Sequence, residues 1–441
     1  MSAFRQNLTK ARSHIIVIFA LRCGLFLALH LESVDRESAP DLIPVSMARF
    51  TDVKPQPIRT SVKLDEKQMG YARTAWQFFL NNTDPDTGLT GSVDAFPSTT
   101  MWETGSQLVA VISAERLGLT DTADAHMRIE HVLGSLLKLQ LFEGNIPNKA
   151  YDIRSLKMVT YDNKPTDVGL GWSALDIGRL LSALAIVQHA HPDLSPQITT
   201  LLAGWDLSRV TQHGELTGAT MTDGKLKENQ EGRIGYEQYA AKAMLLFGLD
   251  ATAALDISDT LTVVDVQGLP IPVDSRMNRN KVRAFTTSES YLLDGLEFGF
   301  DWRSHIFASE VYRAQELRFA ETGKLTAVSE GHLNVKPFFA YATVWGGGQP
   351  WAVLTSQGER IDSRRTLSTK AAFGWDALFA TDYTQKLVEA VAPFAVPAKG
   401  WPEGIYEVSG EVNDSDTANT NALVLAALAY QVTGPLLRYS K

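Results

Sequence analysis

From Leu64 onward, apolar residues recur at three- and four-residue intervals in one segment after another, each closed by a polar or proline-containing connection. That period lays apolar side chains along one face of an α-helix. It predicts helices over Glu66–Asn81, Thr100–Leu117, Asp121–Leu141, Ser173–His189, Ser195–Ala203, Tyr236–Leu249, Glu289–Phe298, Ser304–Thr322, Ser368–Ala380, Thr384–Val396 and Asn419–Thr433. Their ends carry matching punctuation. Thr100 precedes Glu103 by three residues and Ser173 precedes Asp176 by three, so each acid can reach back to its helix start, while Gly118, Gly323 and Gly434 stand where helices should stop. Strand-like pieces such as Leu261–Val266 and Ala340–Val344 are short and too few for a central sheet. The pattern therefore predicts an all-α barrel of paired helices. Its connections Glu143–Gly171, Gly204–Gly235 and Thr326–Leu367 are long, and loops of that size in a compact domain are usually functional.

Before Leu64 the pattern changes twice. Arg5, Lys10 and Arg12 precede an apolar run from Ile15 to Leu31 that Arg22 interrupts, at a cost of roughly 2.5–3.5 kcal/mol if it sits mid-bilayer. Residues 1–31 read as an N-terminal signal anchor, with a cleaved signal peptide and a buried helix as alternatives; no small-x-small cleavage site follows. The basic residues ahead of the run would stay inside, which predicts a periplasmic domain anchored in the inner membrane, or a secreted one if the segment is cleaved. Residues 32–63, punctuated by Pro40, Pro44, Pro55 and Pro57, read as a linker. Residues 64–441 form the remaining domain.

Composition narrows the chemistry. A net charge of −9 without a Lys/Arg-rich run argues against nucleic acid, whose phosphates need a concentrated basic surface. One cysteine, Cys23, excludes a disulfide framework and a cysteine-rich metal site, and His189-Ala-His191 has no acidic partner at ligand spacing. Phosphate-loop, dinucleotide and Gly-x-Ser-x-Gly signatures are absent from the sequence, so neither cofactor nor metal is expected.

The informative stretch is Glu231-Gly-Arg-Ile-Gly-Tyr-Glu-Gln-Tyr-Ala-Ala-Lys242, where two glycines lead into a helix whose face carries Tyr236 and Tyr239 while Glu237 points away. Glu237 has two readings, a reacting acid or a complement to the helix dipole. The coupling of an aromatic to an acid recurs at Trp102-Glu103, Tyr151-Asp152, Tyr236-Glu237, Trp375-Asp376, Trp401-Pro402-Glu403 and Tyr406-Glu407. Aromatic faces pack on sugar rings and carboxylates take their hydroxyls, so this mixture suits a glycan cleft.

The segments Asn148–Asp152, Gly171–Leu180, Glu231–Lys242, Ser288–Glu297, Leu367–Gly374 and Asn419–Ala422 together resemble the bacterial domain-of-unknown-function 3131 family. That family is similar in turn to glycoamylase-like domains, including β-1,2-glucanases and the cyclisation domain of cyclic β-1,2-glucan synthases, which implies an (α/α)6 toroid barrel of helical hairpins. Tyr236-Glu237 resembles their Tyr-x-Glu motif, Tyr151-Asp152 their aromatic-then-Asp loop, and Ser173 with Asp176 their Ser-x-x-Asp helix start. The chain departs at Glu103, where relatives more often show Trp-Asp, and at Gln238, where a second Glu is commoner. Their aromatic neighbours, their loop and helix-start positions and this resemblance make Asp152 and Glu237 the expected catalytic pair, and Glu103, Asp176 and Glu403 are the next acids to test. Substrate contacts are expected from Trp102, Glu103, Lys149, Asp176, Arg179, Tyr236, Tyr239, Glu289, Trp401, Glu403 and Asn421. The function expected is a glycoside hydrolase or transglycosylase acting on an envelope β-glucan or related polysaccharide, working beside polysaccharide synthesis or export proteins. A polysaccharide lyase on the same barrel, or a non-catalytic glycan-binding component, are the alternatives.

Overall fold

The structure, a computed structural model, describes residues 47–277, 282 and 285–437. The apolar run and Cys23 lie outside the described residues. Among the described residues, no helix is long and apolar enough to cross a membrane.

The helices form where the caps and apolar faces place them. They are α1 (Glu66–Asn82), α2 (Met101–Arg116), α3 (Thr122–Leu136), α4 (Ala174–Ala190), α5 (Ser195–Ala203), α6 (Tyr236–Leu246), α7 (Glu289–Leu293), α8 (Trp302–Thr322), α9 (Thr369–Phe379), α10 (Asp382–Val391) and α11 (Ala418–Thr433). Asp65, Thr100, Asp121, Ser173, Asp301, Ser368, Thr381 and Thr417 each accept a backbone N–H of the following first turn. α5, α6 and α7 lack such a side-chain cap; α6 starts at Gly235 with φ 104°, and the Gln238 side chain accepts the Gly235 N–H instead. A Cβ at Gly235 would collide with Ser290, so only glycine fits this entry.

Six of these helices form an inner layer. α2 packs on α4, α4 on α6, α6 on α7, α7 on α9, α9 on α11, and α11 back on α2. Every residue of α9 and most of α11 are buried, as expected for helices apolar on all sides. The outer helices cover them: α1 lies on α11 and α2, α3 on α2, α8 on α7, α10 on α9, and the single turn Thr252–Leu255 on α6.

Small antiparallel sheets occupy the loops. Leu261–Val266 is a strand as expected, and Phe339–Ala342 takes the place of Ala340–Val344. The long Gly204–Gly235 connection carries a hairpin, Glu215–Thr222 with Lys225–Gln230, turned at Asp223-Gly224. Positive φ at both turn residues matches the hairpin's twist.

The described part of the expected linker, 47–63, is docked on the domain. Phe50 is buried against Phe307, with ring centroids 4.9 Å apart. The Arg59 N–H donates to Leu378 O and the Val62 N–H to Gln431 O, both 2.7 Å, and the Arg59 guanidinium reaches Asp376 and Gln431. These partners sit at the C-terminal ends of α9 and α11, so the segment satisfies carbonyls that helices leave open there.

Candidate active site

The first turns of all six inner helices converge. The Trp102 indole N–H at the start of α2 donates to Asn419 Oδ1 at the start of α11, 3.2 Å away, and the Asn419 amide donates to Glu289 Oε1 on α7 at 2.7 Å. Glu289 is ion-paired with Lys370 of α9. Tyr236 of α6 meets the Trp102 ring edge-on, with centroids 5.6 Å apart. Asp176 of α4 feels the Glu103 charge of α2, and Glu103 in turn feels Glu289.

Six helix N-termini favour negative charge at this point. Removal from water opposes it. Glu103 and Asp176 keep part of their surface open, yet burial is the main force raising both carboxyls. The Thr100 hydroxyl donates to Glu103 and moderates its rise. Asp176 is pushed well above the ordinary carboxylate range by burial, then by Glu231 and Glu103, with Lys149 opposing. Glu231 is itself fixed as a cap on α4, accepting the Ser173 hydroxyl at 2.6 Å and the Ala174 N–H. Burial works against the Lys370 charge, but Glu289, Glu403 and Glu330 outweigh it and hold its pKa above that of an ordinary lysine.

Glu330 and Glu403 stand on loop strands around Lys370. Glu403 Oε1 accepts the Thr417 and Thr420 hydroxyls at 2.7 and 2.9 Å. Glu330 has a buried oxygen without a hydrogen-bond partner, and burial pushes its carboxyl up to about 7. A raised carboxyl binds its proton more tightly in the folded chain, so the wild type loses stability as pH climbs from the ordinary range through about 7. The loss is roughly 3 kcal/mol at most, at about 1.36 kcal/mol per pH step. Glu330→Gln should therefore melt higher than wild type at about pH 8 and show little gain at about pH 4.5. A stability difference that stays flat between those conditions would contradict this account.

Trp102, Glu103, Asp176, Tyr236 and Glu289 are thus brought together, with Glu403 within electrostatic reach of Glu289 and Lys370. Other expected contacts are placed elsewhere. Trp401 is 0% exposed, edge-on to Tyr71 and Phe373, with its N–H on Tyr71 O, so it has no free face for a sugar. Asn421, equally buried, holds the Trp401 backbone. Arg179 and Tyr239 are buried together on Glu297, and the buried Lys149 donates to Thr220 while staying within electrostatic reach of Asp176. These residues serve the interior and not an open cleft.

Asp152 and Glu237 belong to separate networks. Glu237 is 3% exposed and lies on Arg276 and on the Gln230 amide, because the residue after Tyr236 points about 100° around the helix from it. Burial raises its carboxyl and Arg276 opposes the rise. Asp152, on the strand Tyr151–Asp152 paired with Ser98–Thr99, accepts the Arg154 and Ser155 N–H groups and the Asn163 amide. Burial raises it, but those bonds prevail and hold it below the usual range. Lys370, Glu330, Asn419 and Glu231 were not among the expected site residues. One signal for Lys370 was available: a lysine two residues after the Ser368 cap sits where the helix dipole disfavours a cation.

No curated protein matches the chain in sequence. The model of the protein-of-unknown-function family DUF3131 matches residues 70–434. The chain belongs to this family. Among solved structures, this DUF3131 chain is similar to the endo-β-1,2-glucanase from Chitinophaga pinensis in complex with sophorotriose and glucose, at 11% identity and TM-score 0.63, covering 85% of this chain and 94% of that one. It is also similar to the β-1,2-glucanase from Parabacteroides distasonis, at 11% identity and TM-score 0.59, covering 85% of this chain and 58% of that chain. The cellobiose 2-epimerase from Spirochaeta thermophila aligns at 12% identity and TM-score 0.51, covering 83% and 96%. These likenesses show the helix-rich fold of the six-hairpin glycoside hydrolase-like proteins.

Proposed function

We propose that this protein is a glycoside hydrolase or transglycosylase acting on a bacterial envelope β-glucan, with the closed cycle of inner helices as the inner ring of an (α/α)6 toroid. The observation that carries the reading is that Glu103 and Asp176, both raised, lie within electrostatic reach of each other beside the partly buried rings of Trp102 and Tyr236. Glycosidic-bond cleavage needs one carboxyl to protonate the leaving oxygen and a second, ionised, to activate water or attack the sugar. Of two neighbouring acids, the more strongly raised keeps the proton. That makes Asp176 the acid and Glu103 its ionised partner, whose charge the Thr100 hydroxyl supports. The geometry favours this pair over Asp152 and Glu237, which are occupied by Arg154, Ser155 and Asn163 and by Arg276. The apolar run Ile15–Leu31 supports placing the reaction in the periplasm at the inner membrane, or outside if the run is cleaved.

Purified protein incubated with a panel of linear and cyclic β-glucans should generate new reducing ends or rearranged chains. Unaltered oligosaccharides that nevertheless bind would point to a non-catalytic component. An unsaturated product absorbing in the near ultraviolet would point to a lyase. Either result overturns the reading.

A further inference from the structure

Away from the ring, a cavity of about 590 Å³ opens where α1 ends, and its size is that of a small-ligand site. Its lining includes the apolar Phe96 and Pro97 and the polar or charged Asn81, Asp84, Arg154, Asp162 and Asn163. A ring and a proline beside amide and guanidinium groups match the two kinds of surface of a sugar, apolar faces and hydroxyl edges.

The walls are built rather than incidental. Asp152 takes the Arg154 guanidinium at 3.1 Å and the Asn163 amide N–H at 2.9 Å, fixing both lining residues. Asn163 Oδ1 is left buried without a hydrogen-bond partner. Elsewhere in the lining, Asn82 Oδ1 accepts the Ala95 N–H at 3.0 Å and holds Ala95 at φ 58°. A left-handed alanine costs energy and persists only where its surroundings enforce it. Phe96 precedes Trp102 by six residues, so the cavity lies within about 20 Å of the ring at full extension.

We infer that this cavity is a saccharide subsite remote from the reacting bond, taking a more distant part of the same neutral glucan chain. Asp152 is then a positioning residue that orients Arg154 and Asn163. The inference rests on the glycan reading for its ligand class, but not on Glu103 or Asp176 as the reacting acids.

The test is calorimetric binding of a β-1,2-linked trisaccharide and heptasaccharide to the full chain and to Arg154→Ala and Phe96→Ala. Arg154 is 62% exposed, so its replacement spares the fold, whereas Phe96 also packs on Ala150, Val159 and Tyr161. The wild type should bind the heptasaccharide more tightly than the trisaccharide, and both variants should lose about tenfold of that gain. Wild-type length dependence retained in Arg154→Ala and in folded Phe96→Ala would overturn the subsite while leaving the reaction intact. Length-dependent binding that the variants abolish, in a protein that cleaves nothing, would uphold the subsite and sink the reaction. A wild type that binds neither sugar would refute the subsite.

Discussion

Asp176→Asn is expected to lower the rate of glucan cleavage by at least about a hundredfold, the low end for general acid–base catalysis, while leaving the melting temperature no lower than that of wild type. Asparagine keeps the size and much of the hydrogen bonding of the side chain and removes only the proton. The pH profile distinguishes this from a structural effect. Because burial, Glu231 and Glu103 raise Asp176, its protonated form survives to a higher pH than that of an ordinary carboxylic acid. The wild-type rate should fall as pH rises through that raised value, and the fall should be missing from the residual activity of the asparagine variant. Glu231→Gln removes one of the two repelling charges, so the alkaline fall should move to lower pH, even though Glu231 is a positioning residue on the α4 cap. Rates of Asp176→Asn within about tenfold of wild type would remove Asp176 from the chemistry.

Much of this arrangement was legible because helices advertise themselves locally. The caps Thr100, Ser173 and Ser368 and the four-residue apolar spacing fixed α2, α4 and α9 to within a residue or two at their starts. The strand Lys225–Gln230 was illegible by the same logic, since Lys-Leu-Lys-Glu-Asn-Gln shows no apolar alternation; only the Asp223-Gly224 turn betrays it. In the site, an aromatic and the acid beside it in sequence need not face the same way. Consecutive helix residues point about 100° apart, so Tyr236 faces the ring and Glu237 faces Arg276. The decisive contacts are also remote in sequence: Asn419 meets Glu289 across 130 positions and Trp102 across 317. No local pattern encodes a contact that exists only once the cycle of helices closes.

Arg179→Met is expected to destabilise the domain by about 3–5 kcal/mol near neutral pH, the range for stripping one partner from a buried ion pair. Arg179 on α4 donates to Glu297 Oε1 at 2.6 Å and to the Tyr239 hydroxyl of α6 at 2.9 Å. Tyr239 and Ser182 both donate to the other Glu297 oxygen at 2.7 Å. Glu297 lies in the wide turn Asp294–Phe298 that follows α7, so one carboxylate ties three consecutive inner helices. Methionine matches the aliphatic stem, which keeps the packing and isolates the electrostatic cost. Arg179→Met combined with Glu297→Gln should recover a substantial part of the deficit by removing the uncompensated charge. Denaturant unfolding of the three chains near neutral pH measures both effects. A single variant within about 1 kcal/mol of wild type at neutral pH would mean that the helices are tied by packing alone and that Glu297 tolerates its burial without Arg179.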